Sequence, residues 1–124
     1  MKSVSVFHPH LLGLLAAAVL TLPAFHARAA DTAPPTGRDL AYDSRKGNCL
    51  ACHAMPGDPK AITSTNIAPP LVMMRERFPD RKKLYAQIWD PMRANPDTAM
   101  PPFGRHHILS DEEIERVVDY IYGL

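Results

Sequence analysis

Cys49-Leu50-Ala51-Cys52-His53 is the stretch on which the reading of this 124-residue chain turns. It holds both cysteines of the sequence. A disulfide across two intervening residues would close too small a loop to stabilise much. C-x-x-C-H is instead the spacing of covalent haem attachment. Two vinyl groups on one side of a porphyrin each need a thioether, a two-residue turn spans them, and the next histidine can swing under the iron. Other chemistries fit less well. A thioredoxin-like pair belongs at the head of a helix in a βαβ unit, and no strand pattern surrounds this one. A zinc site needs about four ligands, and beyond His53 the exported part has only the adjacent His106 and His107.

Upstream, Lys2 precedes an apolar run from Leu11 to Leu22, interrupted by Gly13 and Thr21 and followed by Pro23 and Ala27-Arg28-Ala29. That pattern predicts a secretory signal peptide over residues 1–29, cut after Ala29. An apolar run of about 12 residues falls short of the roughly 20 that span a bilayer core. The expected product is periplasmic, with no membrane anchor after cleavage and no cysteine at the cut to carry a lipid. Residues 30–37, with Pro34 and Pro35, read as a flexible N-terminal tail, and residues 38–124 as one domain. A domain of that size has a marginal core and commonly needs a staple. A flat apolar cofactor would serve.

Downstream, the periodicity is helical throughout and no strand is expected. A helix is predicted from Arg38 to Lys46, ended by Gly47. A short one is expected from Leu71 to Phe78. A third starts at an Asp80 cap and carries Leu84, Tyr85, Ile88 and Trp89 as far as Pro91. The last begins with Ser110 and Glu113 as a capping box and repeats Ile114, Val117, Val118 and Ile121 at i, i+3, i+4 and i+7. Residues 54–70 and 91–108 are proline-rich loops. Loops that long in so small a domain need something to order them. The fold class is therefore all-α: a small helical domain packed around one covalently attached haem c.

His53 is the expected proximal iron ligand. Met100 fits best on the other face, because Pro101 and Pro102 stiffen its loop and lower the entropic cost of holding a thioether in place. Met55 is too close to His53 to reach around the ring. Met73 and Met74 are expected to be buried helical residues, Met92 stands at a helix end, and His106 or His107 is the alternative to a methionine. Histidine–methionine ligation closes both axial positions and suits electron transfer. Trp89 is expected beside the haem with its indole N–H near a propionate, the competing role being a plain core aromatic.

The sequence carries 14 Lys plus Arg and 13 Asp plus Glu. Losing Lys2 and Arg28 with the leader leaves 12 against 13, a balance that gives no sign of nucleic-acid binding. Arg75, Arg77, Arg81, Lys82 and Lys83 crowd the middle, while Asp111, Glu112, Glu113, Glu115 and Asp119 crowd the end. Solvated helix faces and a docking patch are the two readings.

These features resemble the class I cytochromes c. Pro69-Pro70-Leu71 is similar to that family's Gly-Pro-x-Leu, with Ala68 where glycine usually stands. The resemblance implies that the Pro69 carbonyl accepts from His53 and that Tyr120 packs against Tyr42. Lys46-Gly47-Asn48-Cys49, Asn66 through Leu71, Ile88-Trp89-Asp90, and Asn95-Pro96 through Met100-Pro101-Pro102-Phe103-Gly104 further resemble the SoxX family. That likeness implies an electron-transfer subunit paired with a SoxA-type cytochrome, together an L-cysteine S-thiosulfotransferase that couples thiosulfate to a cysteine of the SoxYZ carrier. It also implies a downstream redox acceptor. No catalytic residue is assigned in this chain. A free-standing soluble monohaem carrier is the alternative.

Overall fold

Thr36 starts the first helix by closing a capping box. Its hydroxyl accepts the Asp39 N–H at 3.2 Å, and its own N–H donates to Asp39 Oδ2 at 3.0 Å. The computed structural model describes residues 33–62 and 65–124, and among these it contains four α-helices and two 3₁₀ turns. The helices are α1 (Gly37–Tyr42), α2 (Met74–Arg77), α3 (Arg81–Trp89) and α4 (Asp111–Tyr122). The 3₁₀ turns cover Cys49–Ala51 and Pro91–Arg93. No strand occurs among the described residues, as the helical periodicity predicts. The expected leader lies outside them.

Two helices stop short of expectation for identifiable reasons. α1 ends at Tyr42 rather than Lys46 because Asp43 leaves the helical region at ψ 116° and its carboxylate takes the Arg45 N–H at 2.8 Å. Short acidic side chains compete with helix propagation in this way. The chain then folds back, and the Gly47 N–H reaches the Leu40 carbonyl at 3.0 Å. A Cβ on Gly47 would stand 2.7 Å from that oxygen, so only glycine fits. α2 is one turn instead of two. Met73 stands in the left-handed region directly before it, which a right-handed helix cannot run through, and the Leu71 and Met73 N–H groups go to the carbonyls of Ala54 (2.8 Å) and Leu124 (3.0 Å). Met73 takes a left-handed φ of 48° and is 63% exposed, unlike the buried Met74. Its expected burial is thus corrected.

α3 and α4 follow the sequence pattern. Asp80 caps α3 by accepting the Lys82 N–H at 2.9 Å. Ser110 and Glu113 form the capping box of α4, whose Ile114, Val117, Val118 and Ile121 are all buried. α1 crosses α4 so closely that a Cβ on Gly37 would fall 1.9 Å from the Arg116 carbonyl oxygen. The end of the expected tail is therefore structural, with Thr36 as a cap and Gly37 as the crossing point. Beside that crossing, the Tyr42 and Tyr120 rings meet edge to face at 6.3 Å between centroids, with their hydroxyls 3.2 Å apart. The Tyr120 hydroxyl also donates to Asp58 Oδ2 at 2.8 Å.

The two charge clusters meet each other in part. Arg81 on α3 pairs with both Glu115 and Asp119 on α4. Lys46 pairs with Glu113 at 2.9 Å. Among the described residues no helix is long and apolar enough to cross a membrane.

Candidate cofactor site

The apolar faces of α3 and α4 do not close on each other completely. Leu84 and Ile88 from α3 and Val117 and Ile121 from α4 line a cavity of about 570 Å³. Its lining is mostly apolar, and apolar surface left facing water gives up the burial energy on which a domain this small depends, so the space suits a large apolar occupant. The cavity is open to solvent, with the exposed Ile67, Ala99 and Pro101 among its lining.

The C-x-x-C-H segment forms one wall. Asn48 enters it with a left-handed φ of 47°, a conformation that asparagine tolerates better than most residues. The turn is then fastened by the Ala51 N–H to the Asn48 carbonyl (3.1 Å) and the His53 N–H to the Cys49 carbonyl (2.9 Å). Cys49, Cys52 and His53 all line the cavity. The two thiols are free. Burial pushes the Cys49 thiol up to about 11. A thioether, with no proton to lose, suits the same apolar wall. Among the described residues no three His, Cys, Asp or Glu side chains gather to hold a bare metal ion.

His53 is fixed from outside. The Ala68 N–H reaches the Cys52 carbonyl at 2.9 Å and the Leu71 N–H reaches the Ala54 carbonyl at 2.8 Å, one brace on each side of it. Between the braces, His53 Nδ1 lies 2.7 Å from the Pro69 carbonyl oxygen. A carbonyl can only accept, so Nδ1 carries the proton and Nε2 is the nitrogen left for a metal. Pro69 and Pro70 have no N–H of their own, and alanine at position 68 leaves the arrangement intact. The Pro70 carbonyl accepts from the Arg77 guanidinium at 2.7 Å. Arg77 lines the cavity, a place that its membership of the basic cluster did not indicate.

Met100 lines the cavity as well. Its N–H donates to Thr98 Oγ1 at 3.2 Å, and the Asp97 N–H donates to Asn95 Oδ1 at 3.1 Å. Met74 also reaches the cavity, but its sulfur accepts from Arg77 at 3.4 Å. Met55 is buried in the core, Met92 is 38% exposed, and His106 and His107 are exposed away from the cavity lining.

Trp89 is not where it was expected. It is absent from the cavity lining, and its indole N–H donates to Asp111 Oδ1 at 3.1 Å, so that hydrogen is committed to the head of α4. Its ring lies against Gly104, where a Cβ would come within 2.1 Å of the indole. Gly104 stood in the quoted motif, but its need for close approach was not legible until Trp89 was placed beside it.

The structure thus brings Cys49, Cys52, His53, Pro69 and Met100 to one apolar cavity, a donor set suited to a haem. An "Uncharacterized lipoprotein" of Aquifex aeolicus (strain VF5) is 40% identical over 79 residues, which cover 64% of this chain and 37% of that protein. The chain spans little more than a third of that relative's length. The profile of a cytochrome c family described as "Cytochrome C oxidase, cbb3-type, subunit III" matches residues 33–121. That match takes in α1 to α3, all of α4 but its last residue, and every lining residue of the cavity, and the chain belongs to this cytochrome c family.

Proposed function

We propose that this chain is an exported monohaem c-type cytochrome that carries single electrons. Cys49 and Cys52 hold haem c through thioethers, and His53 and Met100 ligate its iron. One observation carries the reading: the C-x-x-C-H turn and Met100 line the same apolar cavity, with the His53 imidazole already oriented by Pro69. When bound, the haem supplies a one-electron iron couple. The chain's own residues do the rest. Pro69 fixes the imidazole tautomer and strengthens it as a donor. Leu84, Ile88, Val117 and Ile121 exclude water, which disfavours the more highly charged oxidised iron and raises the potential. The exposed lining at Ile67, Ala99 and Pro101 gives electrons a short way out.

The family match supports electron transfer. The finer reading, a SoxX-type subunit working with a SoxA-type cytochrome in thiosulfate oxidation on the SoxYZ carrier, draws its support from the motifs at residues 46–53, 66–71, 88–90 and 95–104. Export is supported by the leader pattern and by the lipoprotein designation of the Aquifex relative.

Two measurements test these levels separately. A purified sample should keep its Soret absorption through acid–acetone extraction, and a colourless protein removes the haem reading. Tagged protein from the native host should co-purify at high salt with a second c-type cytochrome of SoxA type. Elution as a lone haem protein, with that partner present in the lysate, removes the subunit reading and leaves a free-standing carrier.

A further inference from the structure

We propose that Trp89 is the positioning residue of the distal loop: its indole clamps Gly104 and so keeps Met100 presented to the cavity. The proposal rests on Met100 being the second iron ligand.

The two ends of the loop that carries Met100 are tied to Pro91, which opens the 3₁₀ turn after α3, and to Trp89, the last residue of α3. At the start, the Ala94 and Asn95 N–H groups donate to the Pro91 carbonyl at 3.1 and 3.0 Å. At the far end, the Gly104 and Arg105 N–H groups both donate to the Trp89 carbonyl, at 3.1 and 3.2 Å. Between the two ties, the bonds that fix residues 95–100 are short-range contacts of the loop with itself. Such contacts fix shape but not position. Position comes from the ties and from Phe103, which is buried in the core just before the closing tie; that closing tie depends on how firmly Gly104 sits on Trp89.

The indole supplies that firmness. Gly104 is buried, and its Cα lies so close to the ring that a Cβ would come within 2.1 to 2.5 Å of Cδ1, Nε1 and Cγ. The ring cannot rotate away easily, because its N–H is held by Asp111 Oδ1, which also accepts the Tyr85 hydroxyl at 2.9 Å. One indole therefore joins α3, the end of the distal loop and the head of α4. Next to it the buried Asp90 carboxylate lies 3.6 Å from the Arg105 guanidinium, a second hold on the same end. A soft thioether is a displaceable ligand, so the freedom of its loop decides how readily another donor replaces it.

The test uses the full-length haem-loaded protein. It follows the sulfur-to-iron near-infrared band of the oxidised form while imidazole is titrated in, and takes a thermal midpoint for each variant. Trp89→Ala removes the clamp and Gly104→Ala pushes the loop off it. Each should lower the imidazole concentration that displaces half the band by about tenfold, the size of effect expected from losing one well-packed contact. Trp89→Phe keeps a flat ring against Gly104 and should restore most of the resistance. Val118→Ala, a buried change on α4 away from the loop, should lower the thermal midpoint while leaving the titration unchanged. The proposal is overturned if Trp89→Ala and Gly104→Ala shift the titration no more than Val118→Ala does. Wild-type protein lacking the band would instead remove the Met100 assignment, and with it the need for a clamp.

Discussion

The two sides of the cavity are held in different ways. The His53 side is stitched along its length: backbone bonds from Ala68 and Leu71 flank the imidazole, and the Pro69 carbonyl takes its Nδ1 proton. The Met100 side is tied at its ends, at Pro91 and Trp89, with local turns and the buried Phe103 between. A segment braced on both sides of its functional atom holds that atom by geometry. A segment braced at its ends holds it by limiting loop entropy. The proximal side is therefore the fixed reference of the site and the distal side its adjustable one. Conditions that loosen the protein should free Met100 before they disturb His53.

The largest effect should come from the braced side. Replacing both Cys49 and Cys52 with Ala removes the anchors of the group that fills the cavity. Without that group the apolar lining of the cavity has nothing to pack against, in a domain whose whole stability is about 5–15 kcal/mol. Covalent haem staining should vanish and the far-ultraviolet helical signal should collapse. A cooperatively folded, colourless variant would show that the cavity does not need its occupant.

Met100→Ala should have the next largest effect and be of a different kind. The near-infrared sulfur band should disappear and the reduction potential should fall, because thioether ligation raises it. Covalent haem and helix content should remain. A surviving band would transfer the role to Met74, the other methionine on the cavity lining. Loss of the fold would erase the contrast between the two sides, since it would make the distal loop as structural as the proximal one.

What the sequence made legible divides along the same line as range. α4 could be read residue by residue because its cap and its apolar stripe are local signals, complete within twelve positions. The C-x-x-C-H turn was legible for the same reason. α1 and α2 were read too long because their ends are set by local departures the pattern does not display: a side-chain turn at Asp43 and a left-handed residue at Met73. Trp89 was misplaced because its two partners, Gly104 and Asp111, lie 15 and 22 positions away and neither has a periodic relation to it. The Tyr42–Tyr120 contact, between residues 78 positions apart, was expected only through resemblance to class I cytochromes c.

The smallest effect belongs to the pairing of α1's exit with the head of α4, which supports both sides equally. The Ser110 N–H is the main cause that holds the Glu113 carboxyl below its usual range, and Lys46 adds to it at 2.9 Å. A carboxyl depressed in the folded state contributes stability that is present above its unfolded pKa and is lost as pH falls through the folded one. Asp58, lowered by the Lys60 N–H and the Tyr120 hydroxyl, behaves in the same direction. The thermal midpoint should therefore fall as pH drops below about 4.5, where unfolded carboxyls begin to bind protons. Ser110→Ala should cost about 1 kcal/mol at neutral pH, as loss of an N-cap does. Glu113→Gln, which removes the depressed carboxyl while Ser110→Ala keeps the backbone N–H that lowers it, should flatten the acid limb of the stability curve. The sulfur band, measured across the same pH range, separates the two sides once more. If it fades at a higher pH than the one at which the helical signal is lost, the distal loop lets go first. If both fade together, the ties at Pro91 and Trp89 hold Met100 as firmly as the stitched side holds His53.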